Sequence, residues 1–95
     1  MADVPAVTHN LAATQFEIHT DAGVALLTYR PSGTTLDLMH TEVPKSNEGG
    51  GYGSALVRAA LDYARLNHLT VIPTCSFVRA YMRRHHAYDD LRAAP

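Results

Sequence analysis

Between His40 and Ala64 the chain reads HTEVPKSNEGGGYGSALVRAALDYA, and most residues that could do chemistry lie in or beside this stretch. Gly49, Gly50, Gly51 and Gly53 fall where a loop turns into a helix. A glycine run there lets a ligand reach the backbone with no side chain in the way. The first amides of a helix have no partner inside it, so they are free to meet a phosphate or pyrophosphate. Just upstream, His40 and Glu42 stand two apart on a strand and so share a face. Histidine has the right ordinary pKa for a proton acceptor, although it also serves simply as a partner for a neighbouring strand or loop. Downstream, Cys75 falls near a helix start, where a thiol shifts toward the nucleophilic thiolate. The plainer role of a free cysteine is a small buried hydrophobe. Arg83 and Arg84, later on that helix, suit phosphate geometry or form a solvated face.

Two familiar phosphate loops do not fit. A P-loop ends in Lys followed by Ser or Thr, and no lysine follows this loop. A dinucleotide fingerprint needs a third glycine, where this chain has Ser54, and an acid after the next strand, which is missing. No histidine or acid spacing matches a zinc site, so no metal is expected.

These residues must be held by a small set of elements. Residues 1–14 show no period and read as a flexible tail, from which Val4 or Val7 could dock. Gln15 to Thr20 alternates, with Phe16 and Ile18 on one face and Gln15, Glu17 and His19 on the other, as in a half-buried strand. Asp21-Ala22-Gly23 and Pro31-Ser32-Gly33 are turn signals bounding a second strand, Val24 to Arg30. A third strand, Thr34 to Val43, completes an antiparallel meander and stops at Pro44. From about Gly51 to Asn67 the spacing of Leu56, Val57, Ala60, Leu61 and Ala64 predicts an amphipathic helix. Leu69 to Ile72 is a short apolar run suited to a covered strand, lying parallel to the third after a helical crossover. Ser76 to about His85 is a second helix, with Phe77, Val78, Tyr81 and Met82 turned inward. Tyr88 and Leu91 could pin the segment after it, and residues 92–95 read as a tail.

The chain has 95 residues, enough for one domain with a modest core, here residues 15–91. A net charge of -1 gives no bulk attraction to nucleic acid or an anionic membrane. No apolar run is long enough to span a bilayer, and the N-terminus lacks the pattern of a signal peptide. The lone cysteine cannot form an internal disulfide, which fits a reducing compartment, with the cytoplasm as the default.

In combination the motifs are more specific than any one of them. Glu48 to Gly53 is similar to the acyl-CoA motif of the GNAT acetyltransferase superfamily: Gln or Arg, two residues, Gly, one residue, then Gly or Ala. From about Asn10 to Leu91 the chain resembles a small, cut-down branch of that superfamily. The branch's His-Thr-Glu-Val-Pro stretch is matched by His40 to Pro44 and its Gly-x-Gly-Ser-Ala-Leu helix start by Gly51 to Leu56. Its Ile-Pro-x-Cys-x-Phe stretch is matched by Ile72 to Phe77, and its late Tyr and His-Pro-Glu-Tyr in part by Tyr81 and His85 to Tyr88. Two positions depart: Glu48 replaces the Gln or Arg, and His86-Ala87 replaces Pro-Glu.

The resemblance implies an α/β domain with a truncated GNAT fold: three-strand meander, helix, splayed parallel strand and C-terminal helix. It implies acetyl-CoA or CoA as cosubstrate and transfer of the acetyl group to an amine. Thr41 and Val43 would pair with the pantetheine arm, and Glu48, Gly49, Gly50, Gly51, Tyr52, Gly53 and Ser54 would surround the pyrophosphate. Ser76, Tyr81 and Arg84 would join the cofactor contacts, Arg84 through the adenosine phosphate. Cys75 would sit near the thioester, with direct attack by the amine and an acetyl-cysteine route both open, and His40 or Glu42 would serve as base. The acceptor groove would be open and shallow, suited to an exposed lysine, a protein N-terminus or a small amine, on a monomer or weak dimer. The other reading is a CoA-binding module without turnover, acting as a sensor or protein partner.

Overall fold

The computed structural model describes residues 5–93. Five strands form one sheet in chain order: β1 (Thr8–Asn10), β2 (Gln15–Thr20), β3 (Gly23–Ser32), β4 (Thr35–Glu42) and β5 (Thr70–Pro73). The first four are antiparallel and β5 runs parallel to β4. Helix α1 (Tyr52–Leu66) makes the crossover between β4 and β5, and α2 (Ser76–Arg84) follows β5. Short 3₁₀ segments occupy Lys45–Asn47 and His86–Leu91. The expected α/β class and element order hold, with one strand more in the meander.

That extra strand corrects the reading of residues 1–14 as a tail. Thr8–Asn10 pairs with Gln15–Glu17 across a turn, and Val7 packs against the core. Alternation hid it because its inward residue is His9. The His9 ring stacks on Phe16 at 4.1 Å, and its Nε2 lies 2.6 Å from the Tyr29 hydroxyl. Val4 lies outside the described residues. The expected tail at 92–95 is corrected at its start too: Arg92 bridges Val71 in parallel, and the Ala93 amide donates to the Val71 carbonyl at 2.8 Å.

The core lies on one face of the sheet. Phe16, Ile18, Ala25, Leu27, Leu36 and Leu38 meet the α1 stripe of Leu56, Val57, Ala60, Leu61 and Ala64. Burying these side chains supplies most of the drive to fold, at roughly 25 cal/mol per Å² of apolar surface. Val78, Tyr81 and Met82 bring α2 onto the same cluster. Leu91 is buried there as well, and Arg65 on α1 holds Asp90 through two hydrogen bonds of 2.9 Å. Phe77 departs from expectation: it is 39% exposed, because the Val78–Tyr81–Met82 stripe points elsewhere on the helix.

Candidate functional site

The site is built where β4 outruns β5. Pairing of β5 with β4 covers Thr35 to Leu38 and stops at Pro73, and the Cys75 amide makes the last link, donating to the Leu38 carbonyl at 2.9 Å. Beyond that point β4 continues to Glu42 with a free edge on this side. A gap beside β4 therefore begins at Cys75, where the resemblance implies a splayed strand.

A bulge decides which side chains face the opening. Thr28 pairs with His40 and Tyr29 with Leu38, so Met39 is an extra residue on β4. An extra residue reverses the inside-outside alternation. Before it, Leu36 and Leu38 face the core; after it, Thr41 does, opposite the buried Leu27. His40 and Glu42 then fall on the outer face, opposite Thr28 and Leu26. They do share a face, and they hydrogen-bond at 2.9 Å from His40 Nε2 to Glu42 Oε2, both well exposed. That face is opposite the one that Thr41 presents to Cys75.

After β4 the chain turns through Lys45–Asn47 and reaches α1 over the glycines. Gly49 has φ 81° and Gly51 φ 85°, conformations that L side chains rarely adopt. The first intrahelical bond is Ala55 N–H to Gly51 carbonyl, at 3.0 Å. Among the described residues the amides of Gly51, Tyr52, Gly53 and Ser54 have no backbone acceptor, and no side chain caps the helix. The first turn carries no acid. Four donors and the positive end of a fifteen-residue helix thus remain available to an anion.

These amides border a cleft of about 420 Å³. Thr41 and Val43 form one wall, Gly49, Gly51, Gly53 and Ser54 another, and Glu48 and Tyr52 stand at the loop. Eight expected cofactor residues are therefore brought together. Two more were not foreseen. Asn47 lines the cleft and accepts a hydrogen bond from Thr20. Phe77 lies across Gly53 so closely that a Cβ on Gly53 would stand 2.7 Å from the ring. The glycine at position 53 is the only sequence sign of that contact.

Cys75 is half-buried, with Sγ 3.5 Å from Thr41 Oγ1. Burial disfavours its thiolate, but the Thr41 hydroxyl and backbone groups of Val78, Phe77 and Thr41 hydrogen-bond it and outweigh that cost. The thiol is held below its usual range as a result. Thr41 thus touches both the cleft and the sulfur.

A family model of GCN5-related N-acetyl-transferases matches residues 15–91, most of the chain and all of this site. The chain belongs to the GCN5-related N-acetyltransferase family. It is 32% identical over 80 residues to Protein NATD1 of Xenopus tropicalis and of Mus musculus, covering 81% of this chain and 73% of those proteins. The solution structure of a GCN5-like protein from Staphylococcus aureus shares the fold at a TM-score of 0.70. It is 23% identical, with 99% of this chain and 93% of that one covered. Members of the GCN5-related family use acetyl-CoA as cosubstrate.

Not every residue expected in a GCN5-related site converges on the cleft. Gly50 turns toward the Tyr52 ring, which a Cβ would meet at 2.9 Å. Ser76 is exposed at the start of α2, outside the cleft lining. Tyr81 is buried in the core and stacks on His85 with centroids 3.8 Å apart. Arg84 lies at the far end of α2, exposed and away from the cleft lining. Helical spacing explains both: residues five and eight past Ser76 are more than a turn below the helix start. Among the described residues no group of three His, Cys, Asp or Glu is arranged to hold a metal.

Proposed function

We propose that this chain binds acetyl-CoA in the cleft beside the glycine loop and transfers its acetyl group to an amine. One observation carries the reading: the uncapped start of α1, with the free amides of Gly51 to Ser54, opens onto a cleft whose opposite wall is the free edge of β4. The amides suit the pyrophosphate. The free edge around Thr41 and Val43 suits the amide-bearing pantetheine arm, which would pair with it as a strand does. The thioester then lies toward Thr41 and Cys75.

The acceptor would pass the exposed His40 and Glu42 on the outer face and reach the thioester around the free edge of β4. In the tautomer with Nε2–H donating to Glu42, His40 Nδ1 is left to take a proton from the ammonium form of the acceptor. The neutral nitrogen attacks the thioester carbonyl, the C–S bond breaks, and the CoA thiolate takes up the proton released by the amine. With Cys75 as intermediary, its thiolate first displaces CoA as a thiolate; the amine then attacks the acetyl-cysteine, the C–S bond breaks to restore the Cys75 thiolate, and the CoA thiolate takes the amine's proton. An open outer face fits an exposed lysine or protein N-terminus. A module that binds CoA without turnover is the second reading, favoured by the Glu48 carboxylate beside the expected phosphates.

Calorimetry with acetyl-CoA and CoA tests binding, and mass spectrometry of a lysine peptide tests transfer. Gly51→Val, which demands a positive φ from a β-branched residue, should abolish binding while circular dichroism stays unchanged. No heat at millimolar acetyl-CoA would refute the reading. Heat without transfer to any amine would leave the second one.

A further inference from the structure

A second cavity, of about 290 Å³, lies away from the acetyl-CoA cleft. Its floor is the buried Met82, and its rim is Arg83, His86, Asp89 and Arg92. Along α2, Arg83 is six residues past Phe77, or about 9 Å at 1.5 Å per residue, so this cavity sits near the opposite end of the helix.

Three elements converge there. Arg83 comes from the last turn of α2, and His86 and Asp89 from the His86–Leu91 segment. Arg92 comes from the stretch that bridges Val71. The backbone of Arg92 is fixed, since its amide donates to the Asp89 carbonyl at 3.2 Å and the next amide to Val71. The rim also carries one carboxylate, Asp89, whose Oδ2 lies 3.1 Å from His86 Nδ1 and whose single charge is outnumbered by the two guanidiniums. The neighbouring Asp90 turns away to Arg65. Among the described residues neither guanidinium has a side-chain acceptor. A pair of arginines at the end of a helix is explained by the helix dipole, but that accounts for Arg83 and not for Arg92. The cavity is just below the usual span of small-ligand sites, roughly 300–1,000 Å³.

The geometry points to a second anion site here, taking a phosphate group held between the guanidinium forks of Arg83 and Arg92. Two planar forks from separate elements match the several oxygens and the double charge of a phosphate better than they match a halide. The phosphate could be free or carried on a small molecule, and the 3′-phosphate of acetyl-CoA is one source.

Titration of the isotope-labelled chain with inorganic phosphate, followed by amide NMR at constant ionic strength, tests the site. Saturable shifts confined to residues 82–92 are expected. Arg83→Gln and Arg92→Gln should each weaken them about tenfold, the loss of one charged hydrogen-bonding partner, whereas Arg30→Gln on β3 should not. Shifts at 82–92 with acetyl-CoA but not with its 3′-dephospho form would make the cosubstrate the source. Shifts with phosphate and not with acetyl-CoA would make the ligand an independent one. Equal shifts with sodium chloride, no saturation with phosphate, or unchanged affinity in both variants would overturn the proposal. The readout needs no acetyl transfer, so it stands or falls apart from the reading of the cleft.

Discussion

Gly53→Ala should destabilise the protein in the presence of Phe77 and stabilise it in its absence. Gly53 is the second residue of α1 and its φ is not positive, so backbone conformation does not forbid alanine. Helix propensity favours alanine by as much as about 1 kcal/mol, less in the first turn. The obstacle is the Phe77 ring, which a new Cβ would meet at 2.7 Å and 3.0 Å. Carbon atoms prefer about 3.5–4.0 Å, so the ring must move by close to an ångström. Overpacking of this kind costs about 1–3 kcal/mol, and the lower half applies here because the ring is 39% exposed and can swing outward. The single variant should therefore lose up to about 1.5 kcal/mol net. In a Phe77→Ala background the same change should gain a few tenths, and the two changes should couple by about 1 kcal/mol or more. Urea unfolding of the four proteins measures this directly. Coupling below about 0.5 kcal/mol, the usual error of additivity, would refute the contact. With it would go the idea that Phe77 forms a wall of the cleft.

Other consequences are separately testable. Alkylation of Cys75 by iodoacetamide should show a midpoint below that of an ordinary thiol, and Thr41→Val should raise it by removing the hydroxyl that holds the thiolate. A midpoint unmoved by that change would show that the hydroxyl does not act on the sulfur. Glu48→Arg should tighten acetyl-CoA binding several-fold at low salt, since one charge pair at intermediate dielectric contributes about 1 kcal/mol. The gain should shrink with salt and vanish with acetyl-pantetheine, which lacks the diphosphate; a gain that persists there would mean an effect on loop conformation. Burial, followed by the hydrogen bond to Asp62 at 2.8 Å, pushes the Tyr88 hydroxyl up to about 12. Its folded value exceeds the ordinary 10, so its stabilisation is complete below pH 10 and is lost as pH rises toward 12. Tyr88→Phe should remove the highest step in the phenolate absorbance titration, and an unchanged titration would show that Tyr88 ionises like an exposed tyrosine.

The parts of this molecule legible in its sequence are those governed by local chemistry. Alternation in Gln15–Thr20 and the stripe Leu56–Ala64 follow from which atoms must leave water, and both elements form as read. The glycine loop was legible for the same kind of reason: Gly49 and Gly51 sit at positive φ, where few other residues go. What could not be read depends on partners distant in the chain. Strand β1 carries no hydrophobic alternation, because His9 is satisfied by Tyr29, twenty residues away. Phe77 looked like core, yet its place is set by the absence of a side chain at Gly53.

The bulge at Met39 matters most for the chemistry. Nothing in Leu38-Met39-His40 marks it, since no glycine or proline is present and all three residues are at home in a strand. Strict alternation would carry the core face from Leu36 and Leu38 straight on to His40 and Glu42, placing a hydrogen-bonded His–Glu couple against the thiol and turning Thr41 to solvent. One extra residue exchanges them. Thr41 turns to Cys75, where its hydroxyl stabilises a thiolate without adding charge to the cleft. His40 and Glu42 move to the open face, where the proposed transfer would have its acceptor approach. Which side chains line the cleft and which face solvent thus rests on the register of a single strand and not on any residue that sequence alone would single out.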